Sequence, residues 1–288
     1  MNLEGITLKL LTDELKNHLE GGKIYKVFAP SKNSLLLLIN KDNATVYFLV
    51  DFTGGSPLVY LPKALPERPD IPSSFCMLLR KHLEEGRITL VEQQDLERVI
   101  TLHIDSIGAN RQIITKHLIL ELTGKNSNII FTDEQNIIMD ATRHIGKSQS
   151  SVRQILAGQP YLPPPAQEGL NFLTSAPEEI LSAAQKLSGT LVQNLVAATV
   201  GIGNNTAEEL LLRSHLPLTT VIPSSGNTAM PSAVDRSSYS AYAACCEQLG
   251  KMQAEILSHR NFYGLINKHN TMKLILPYEP HSKIDYQI

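Results

Sequence analysis

A carboxylate followed directly by a guanidinium, Glu97-Arg98, closes a polar patch (Glu92 to Arg98) and opens an apolar, β-rich run. Neighbouring residues in a strand point to opposite faces, so one of the pair can meet a ligand while the other supports it. A guanidinium can stack on a base or clamp a phosphate through two parallel hydrogen bonds. The plain alternative is a surface pair with no role. Further cations accompany it. Arg80 and Lys81 stand on an amphipathic stretch. Lys125 and Asn128 belong to a Gly/Asn-rich interruption between two strands. Arg143, His144 and Lys147 lie in a polar segment after residue 140.

A different pattern, LVAATVGIGNNTAEELLLRS (195–214), places Gly201-Ile202-Gly203 between two short helices. This is the helix–hairpin–helix pattern. Its glycines let the backbone approach closely, and the helix that follows offers unpaired amides at its positive end. Such a turn can hold a phosphate without a lysine. The alternative is a tight turn that only packs. Asn204 and Asn205 follow the glycines, so no nucleophile is offered.

No enzyme constellation emerges: there is no GxSxG, no Walker loop and no GxGxxG opening a helix after a strand. Three cysteines, two of them adjacent (Cys245, Cys246), do not form a disulfide framework, and no spacing suggests zinc. No catalytic residue, cofactor or metal is therefore expected.

The elements that must position these groups follow from periodicity. Residues 3–20 read as a helix ended by Gly21-Gly22. Strands are expected at 24–29, 34–40 and 44–52, the last two joined by the turn Lys41-Asp42-Asn43. The apolar run Leu35–Ile39 suggests a strand buried on both faces. Residues 54–72, rich in Gly and Pro, read as loop or edge strand. A helix capped by Ser73 or Ser74 follows, with Phe75, Cys76, Leu78, Leu79 and Leu83 on its apolar stripe and Gly86 closing it in a left-handed conformation. Strands near 87–92, 98–105, 116–123, 128–132 and 137–140 complete about eight. Segment 141–170 reads as a basic mobile loop, then a stiff connector at Pro163-Pro164-Pro165. Helices are expected at 176–187, 189–200, 204–214 and 235–259, the last with a stripe of Tyr242, Cys246, Leu249, Met252 and Ile256, before a final β segment. The fold class is thus α+β: an N-terminal antiparallel domain over 1–172 and a mainly α domain over 173–288.

With 288 residues, 42% hydrophobic, 19% charged and a net charge of −2, the chain has an ordinary globular composition and no global basic field. Any polyanion must be held by a local patch. The first twenty residues lack the basic start and apolar core of a signal peptide, and the longest apolar run is too short to span a bilayer. A cytoplasmic protein with no membrane partner is expected.

Taken together, PSSFCMLLRKHLEEGRI, DLERVI, LILELTGKNSNIIFTD, IMDATRHIG and SVRQILAGQPYLPPPAQ closely resemble the NFACT N-terminal domain of the RqcH/FbpA family, long labelled fibronectin- or fibrinogen-binding. The resemblance covers nearly all of 1–170, and the hairpin at 190–214 sits where that family has one. It implies an N-terminal domain like the β-sandwich of formamidopyrimidine-DNA glycosylase without its catalytic residues. It implies binding to large ribosomal subunits obstructed by peptidyl-tRNA, recruitment of alanyl-tRNA, and C-terminal alanine tailing of the stalled chain, with peptide-bond chemistry left to the ribosome. An Asp-Arg pair serves tRNA binding in the family. Glu97 and Arg98 match it here, the carboxylate one methylene longer. The family's coiled-coil arms and C-terminal RNA-binding domain have no counterpart up to Ile288, so the sequence is expected to be one part of a longer chain. Two other readings stand beside this one: an adhesin for fibronectin or fibrinogen, and a glycosylase-like nucleic-acid-binding protein.

Overall fold

The computed structural model describes residues 3–53, 57–65, 72–108, 110–221, 233–258, 263–266 and 272–280. The chain divides into two units. The first is Met1–Leu3 with Leu11–Pro165, and the second is Glu4–Leu10 with Ala166–Ile288.

The first unit takes most of α1 (Gly5–Leu19), then β1 (Lys23–Phe28), β2 (Ser34–Lys41), β3 (Ala44–Asp51) and β4 (Leu58–Tyr60). After α2 (Ser74–Leu83) come β5 (Arg87–Gln93), β6 (Val99–Ile107), β7 (Ile113–Glu121), β8 (Asn128–Thr132) and β9 (Ile138–Ala141). These strands form one nine-stranded sheet, ordered β4-β3-β2-β1-β5-β6-β7-β8-β9 and antiparallel throughout. The two meanders join at a single register pair, Lys23 with Arg87. The strand beyond the expected eight is β4, three residues long, inside the Gly/Pro-rich stretch. Residues 54–56 and 66–71 of that stretch lie outside the described residues.

Burial explains the register. Leu35 to Ile39 are all buried, so β2 is covered on both faces, as its unbroken apolar run predicts. The β2–β3 hairpin turns through Asp42 and Asn43, both at positive φ (51° and 62°), a pair of conformations that matches strand twist. The Ser73 hydroxyl caps α2 by accepting from the Cys76 amide at 3.2 Å. Phe75, Cys76, Leu79 and Leu83 form its buried stripe, and the helix packs on β1 and β6.

Gly86 does not close α2. Glu85 takes the left-handed conformation, with φ 73°. Gly86 is needed for a different reason: a Cβ there would lie 2.8 Å from Ile104 Cγ2.

The segment after β9 is pinned, not a mobile loop. Ile145 and Ile155 exchange backbone hydrogen bonds (3.0 and 2.8 Å). Ile155 is buried with Ile119, Ile130, Ile138 and Ala141.

The second unit contains β10 (Leu170–Asn171), α3 (Pro177–Gln185), α4 (Leu191–Ala198), β11 (Thr199–Val200), α5 (Asn204–Arg213), α6 (Ala233–Ser258), β12 (Tyr263–Ile266) and β13 (Met272–Leu276). β10 pairs in parallel with β11. That pairing draws the residues before 172 into the second unit, so the division falls at Pro165/Ala166. On α6 the buried stripe is Cys245, Leu249, Met252 and Ile256, with Cys245 in the place expected of Cys246. Arg213 ties the unit together: its Nε donates to Glu209 Oε1 at 2.9 Å, Nη1 to Glu255 Oε2 at 2.6 Å and Nη2 to the Glu279 carbonyl at 2.6 Å.

Candidate nucleic-acid interface

The sheet gathers the candidate cations at one end. Val99, the first residue of β6, faces Glu121, the last of β7, and Glu121 faces Asn128, the first of β8. One step further out, the Leu122 amide donates to the Arg98 carbonyl at 2.8 Å. The short helical turn Gly124–Asn126 then connects β7 to β8. Beyond β9, the Thr142 amide donates to the Ile129 carbonyl at 2.9 Å. Arg98, Lys125 and Arg143 therefore sit at the same edge of consecutive strands.

Glu97 and Arg98 both precede β6, in a turn where Asp95 has φ 49°. The alternation expected of strand neighbours does not apply to them. The turn is held by the Glu97 amide donating to Gln94 O at 3.0 Å, and by Gln93 Nε2 donating to Glu97 O at 2.7 Å. Both side chains are half-buried. The Arg98 guanidinium makes no hydrogen bond or ion pair with another described residue.

Directly beneath this edge lies a brace that the sequence did not announce. Glu121 has no exposed surface, and both its oxygens accept from Arg153 at 2.6 Å. The Tyr161 hydroxyl donates to the same carboxylate at 3.0 Å. Burial, followed by the neighbouring Glu121 charge, pushes the Tyr161 phenol far above its ordinary value. Burial pulls the Arg153 guanidinium down, but the Glu121 hydrogen bonds and charge outweigh it and the net shift is upward. No local spacing pairs residue 121 with 153, so only the fold reveals this group.

Asn128 is not a ligand-facing residue. It is fully buried, its amide nitrogen donates to the Arg143 carbonyl at 2.8 Å, and its oxygen accepts from the Thr142 hydroxyl (2.9 Å) and the Arg143 amide (3.0 Å). These bonds hold residues 142–143 in place, and its burial keeps the side chain from reaching nucleic acid. Arg80 is also largely committed. Its Nε donates to the Val27 carbonyl at 2.8 Å, and its guanidinium carbon lies 5.4 Å from the Phe28 ring centre.

Lys125, Arg143 and His144 line one cleft of 630 Å³ in the first unit, together with Lys32, Ser73 and Ser74. Arg143 Nη1 donates to Lys125 O at 2.9 Å, and the His144 ring meets Asp140 Oδ1 at 2.7 Å. Lys81 and Lys147 are exposed but line no part of this cleft.

The Gly201-Ile202-Gly203 turn is occupied. Gly201 has φ 104°, which favours glycine. A Cβ on Gly203 would lie 2.8 Å from Glu4 Oε1. Glu4 is 5% exposed, and its Oε2 accepts from the Thr206 hydroxyl at 2.5 Å, next to the Tyr278 hydroxyl (3.1 Å from that of Thr206). The seat expected for a phosphate is thus filled by a carboxylate of the same chain, beside the positive end of α5. Burial raises the Glu4 pKa, and hydrogen bonds from Thr206 and the Gly203 amide offset part of that shift.

Among the described residues no group of three or more His, Cys, Asp or Glu side chains could hold a metal ion, and no helix is long and apolar enough to cross a membrane.

The fold, an antiparallel α+β unit and a mainly helical unit, is shared with two solved structures. The N-terminal part of the fibronectin/fibrinogen-binding protein from Streptococcus suis superposes with a TM-score of 0.73 and 25% identity, over 100% of this chain and 96% of that one. The fibrinogen-binding protein from Staphylococcus aureus gives a TM-score of 0.75 over 98% and 92%, and at 20% identity it speaks to the fold alone.

The chain belongs to the family of NFACT N-terminal and middle domains, whose sequence model matches residues 4–258. Among curated relatives, the Rqc2 homolog RqcH of Bacillus subtilis is 32% identical over 224 residues, covering 77% of this chain and 39% of the relative. The Rqc2 homolog RqcH of Streptococcus suis is 36% identical over 223 residues, covering 76% and 39%. Subunit 2 of the Saccharomyces cerevisiae ribosome quality control complex is 31% identical over 157 residues, covering 53% and 14%. The chain thus spans about two fifths of the bacterial relatives it matches.

Proposed function

We propose that this chain is the RNA-binding part of a ribosome quality control factor. It would engage large ribosomal subunits that carry peptidyl-tRNA and recruit a tRNA, alanyl-tRNA by family resemblance, for alanine tailing of the stalled chain. The observation that carries this reading is Arg98: a half-buried guanidinium without a partner among the described residues, held by a fixed turn at the sheet edge that also bears Lys125 and Arg143. A phosphate or base edge would supply the acceptors that the protein does not. The names of the bacterial and yeast relatives support the ribosomal setting.

On this reading the chain is an adaptor and not an enzyme, since peptide-bond formation stays with the ribosome. The first unit is read as a relative of the glycosylase N-terminal domain without a nucleophile. The second is read as a helix–hairpin–helix unit whose turn now serves packing. Fibronectin or fibrinogen binding belongs to the names of the structural neighbours, and no feature of this sheet edge favours it.

Sedimentation tests the reading. The chain should travel with large subunits carrying peptidyl-tRNA and much less with empty ones, and Arg98→Ala should weaken that association. Equal sedimentation with both kinds of subunit would argue against it.

A further inference from the structure

The cleft bounded by Lys32, Ser74, Lys125 and Arg143 carries a charge imbalance that the protein does not resolve. Lys32 and Lys125 are exposed and form no ion pair or side-chain hydrogen bond with another described residue. Arg143 is exposed too, and its acceptors are neutral: the Lys125 carbonyl at 2.9 Å and Asn126 Oδ1 at 3.5 Å. The lining holds one carboxylate, Asp140, and His144 engages it at 2.7 Å. Like charges brought together without a counter-ion repel one another. Here the arrangement is imposed from three separate places. Lys32 comes from the β1–β2 turn, Lys125 from the β7–β8 turn and Arg143 from the strand end that Asn128 pins through its amide. Phe52 and Phe75, both buried, also contribute to the lining.

A cationic rim with serine hydroxyls, around a volume of 630 Å³ that a bare inorganic anion would not fill, suits a phosphate carried on a sugar and base. We propose that this cleft is a nucleotide seat: Lys32, Lys125 and Arg143 hold the phosphate, and the Ser74 hydroxyl donates to the same ligand. The phosphate can belong to a strand of RNA or to a free nucleotide. The RNA form of the proposal rests on the function proposed above, and the free-nucleotide form does not.

The test uses Lys32→Ala/Lys125→Ala in the whole chain. Neither side chain has a partner among the described residues, so folding is preserved. Binding of total tRNA is measured over a range of salt, with Arg111→Ala as a control at the β6–β7 turn. Each phosphate that is no longer neutralised takes about 0.7 to about 0.9 from the slope of log affinity against log salt. Lys32 and Lys125 hold the same phosphate, so the double variant should lower the slope by about 0.7 to about 0.9, while Arg111→Ala changes it little. In a second arm, AMP is titrated and the amide resonances of Ser74, Gly124 and Ser127 are followed.

A reduced tRNA slope without AMP shifts assigns the seat to an RNA phosphate. AMP shifts that vanish in the double variant assign it to a free nucleotide, even if tRNA binding fails altogether. Unchanged tRNA slope together with no AMP shift overturns the proposal, as does an equal reduction from Arg111→Ala. If Arg98→Ala weakens tRNA binding while the double variant leaves both arms unaltered, the seat is wrong and the function proposed above stands.

Discussion

Arg153 reaches across from the segment after β9 and meets both oxygens of the Glu121 carboxylate at 2.6 Å, at a position with no exposed surface. Glu121 ends β7, so this pair fixes the strand edge on which Arg98 and Lys125 stand. The Arg153 side chain is 13% exposed, which makes the pair nearly dry. Such a pair contributes little net stability against an apolar replacement, but leaving one partner alone in the interior is costly.

Arg153→Ala should therefore destabilise the chain by about 3–5 kcal/mol, since it strands the Glu121 charge. Replacing both groups, Glu121→Leu with Arg153→Met, should recover much of that loss. Urea unfolding midpoints of the two variants give the comparison. A double variant no better than the single one would show that the pair does more than neutralise buried charge.

Gly203→Ala should be destabilising by about 1–3 kcal/mol, the cost of overpacking a filled site. The added Cβ would lie 2.8 Å from the buried Glu4 Oε1. Shortening Glu4 to Ala makes room, so the two substitutions should be strongly non-additive in a double-mutant cycle. Simple additivity would mean that Glu4 does not occupy the turn in solution.

The same carboxylate sets a pH dependence. Burial, partly offset by the Thr206 hydrogen bond, raises the Glu4 pKa above its ordinary value of 4.5. The folded chain then keeps the Glu4 proton to higher pH than the unfolded chain does. This contribution to stability is complete below 4.5 and is lost as pH rises through the folded value. Glu4→Gln cannot ionise, so the stability of the variant minus that of the native chain should grow with pH in that window and then level off. The growth amounts to about 1.4 kcal/mol for every tenfold by which folding tightens proton binding at Glu4. Denaturation curves collected from about pH 4 to about pH 8 check this, and a flat difference contradicts it.

Much of the fold is readable from local rules. Apolar runs, alternating or unbroken, locate the long strands, Ser73-Ser74 announces the start of α2, and Lys41-Asp42-Asn43 announces the hairpin. What fails locally does so for long-range reasons. Glycine favours positive φ, so Gly86 reads as a helix terminator. Glu85 adopts that conformation instead, and Gly86 is required where Ile104 approaches. The basic part of segment 141–170 reads as a mobile loop because it is polar and charged, and its anchors are Ile155 in the core and Arg153 on a carboxylate 32 residues away.

The candidate site is readable in its cations and less so in their duties. Asn128 and Arg80 have the right chemistry for a ligand but direct it to the backbone of neighbouring elements. The glycine turn has the right backbone for a phosphate but holds Glu4, a residue nearly two hundred positions earlier whose role no local pattern encodes. Lys32 has no sequence signal at all: only the cleft places it with Lys125.

The most direct test is tRNA binding by the native chain and by Arg98→Ala across a range of salt concentrations. Arg98 has no partner among the described residues, so its removal should leave folding intact. Loss of one bidentate clamp should weaken binding by about tenfold and reduce the salt slope by about 1. An Arg98→Ala chain that binds tRNA with unchanged affinity and slope would contradict the assignment of this sheet edge as the RNA-binding surface.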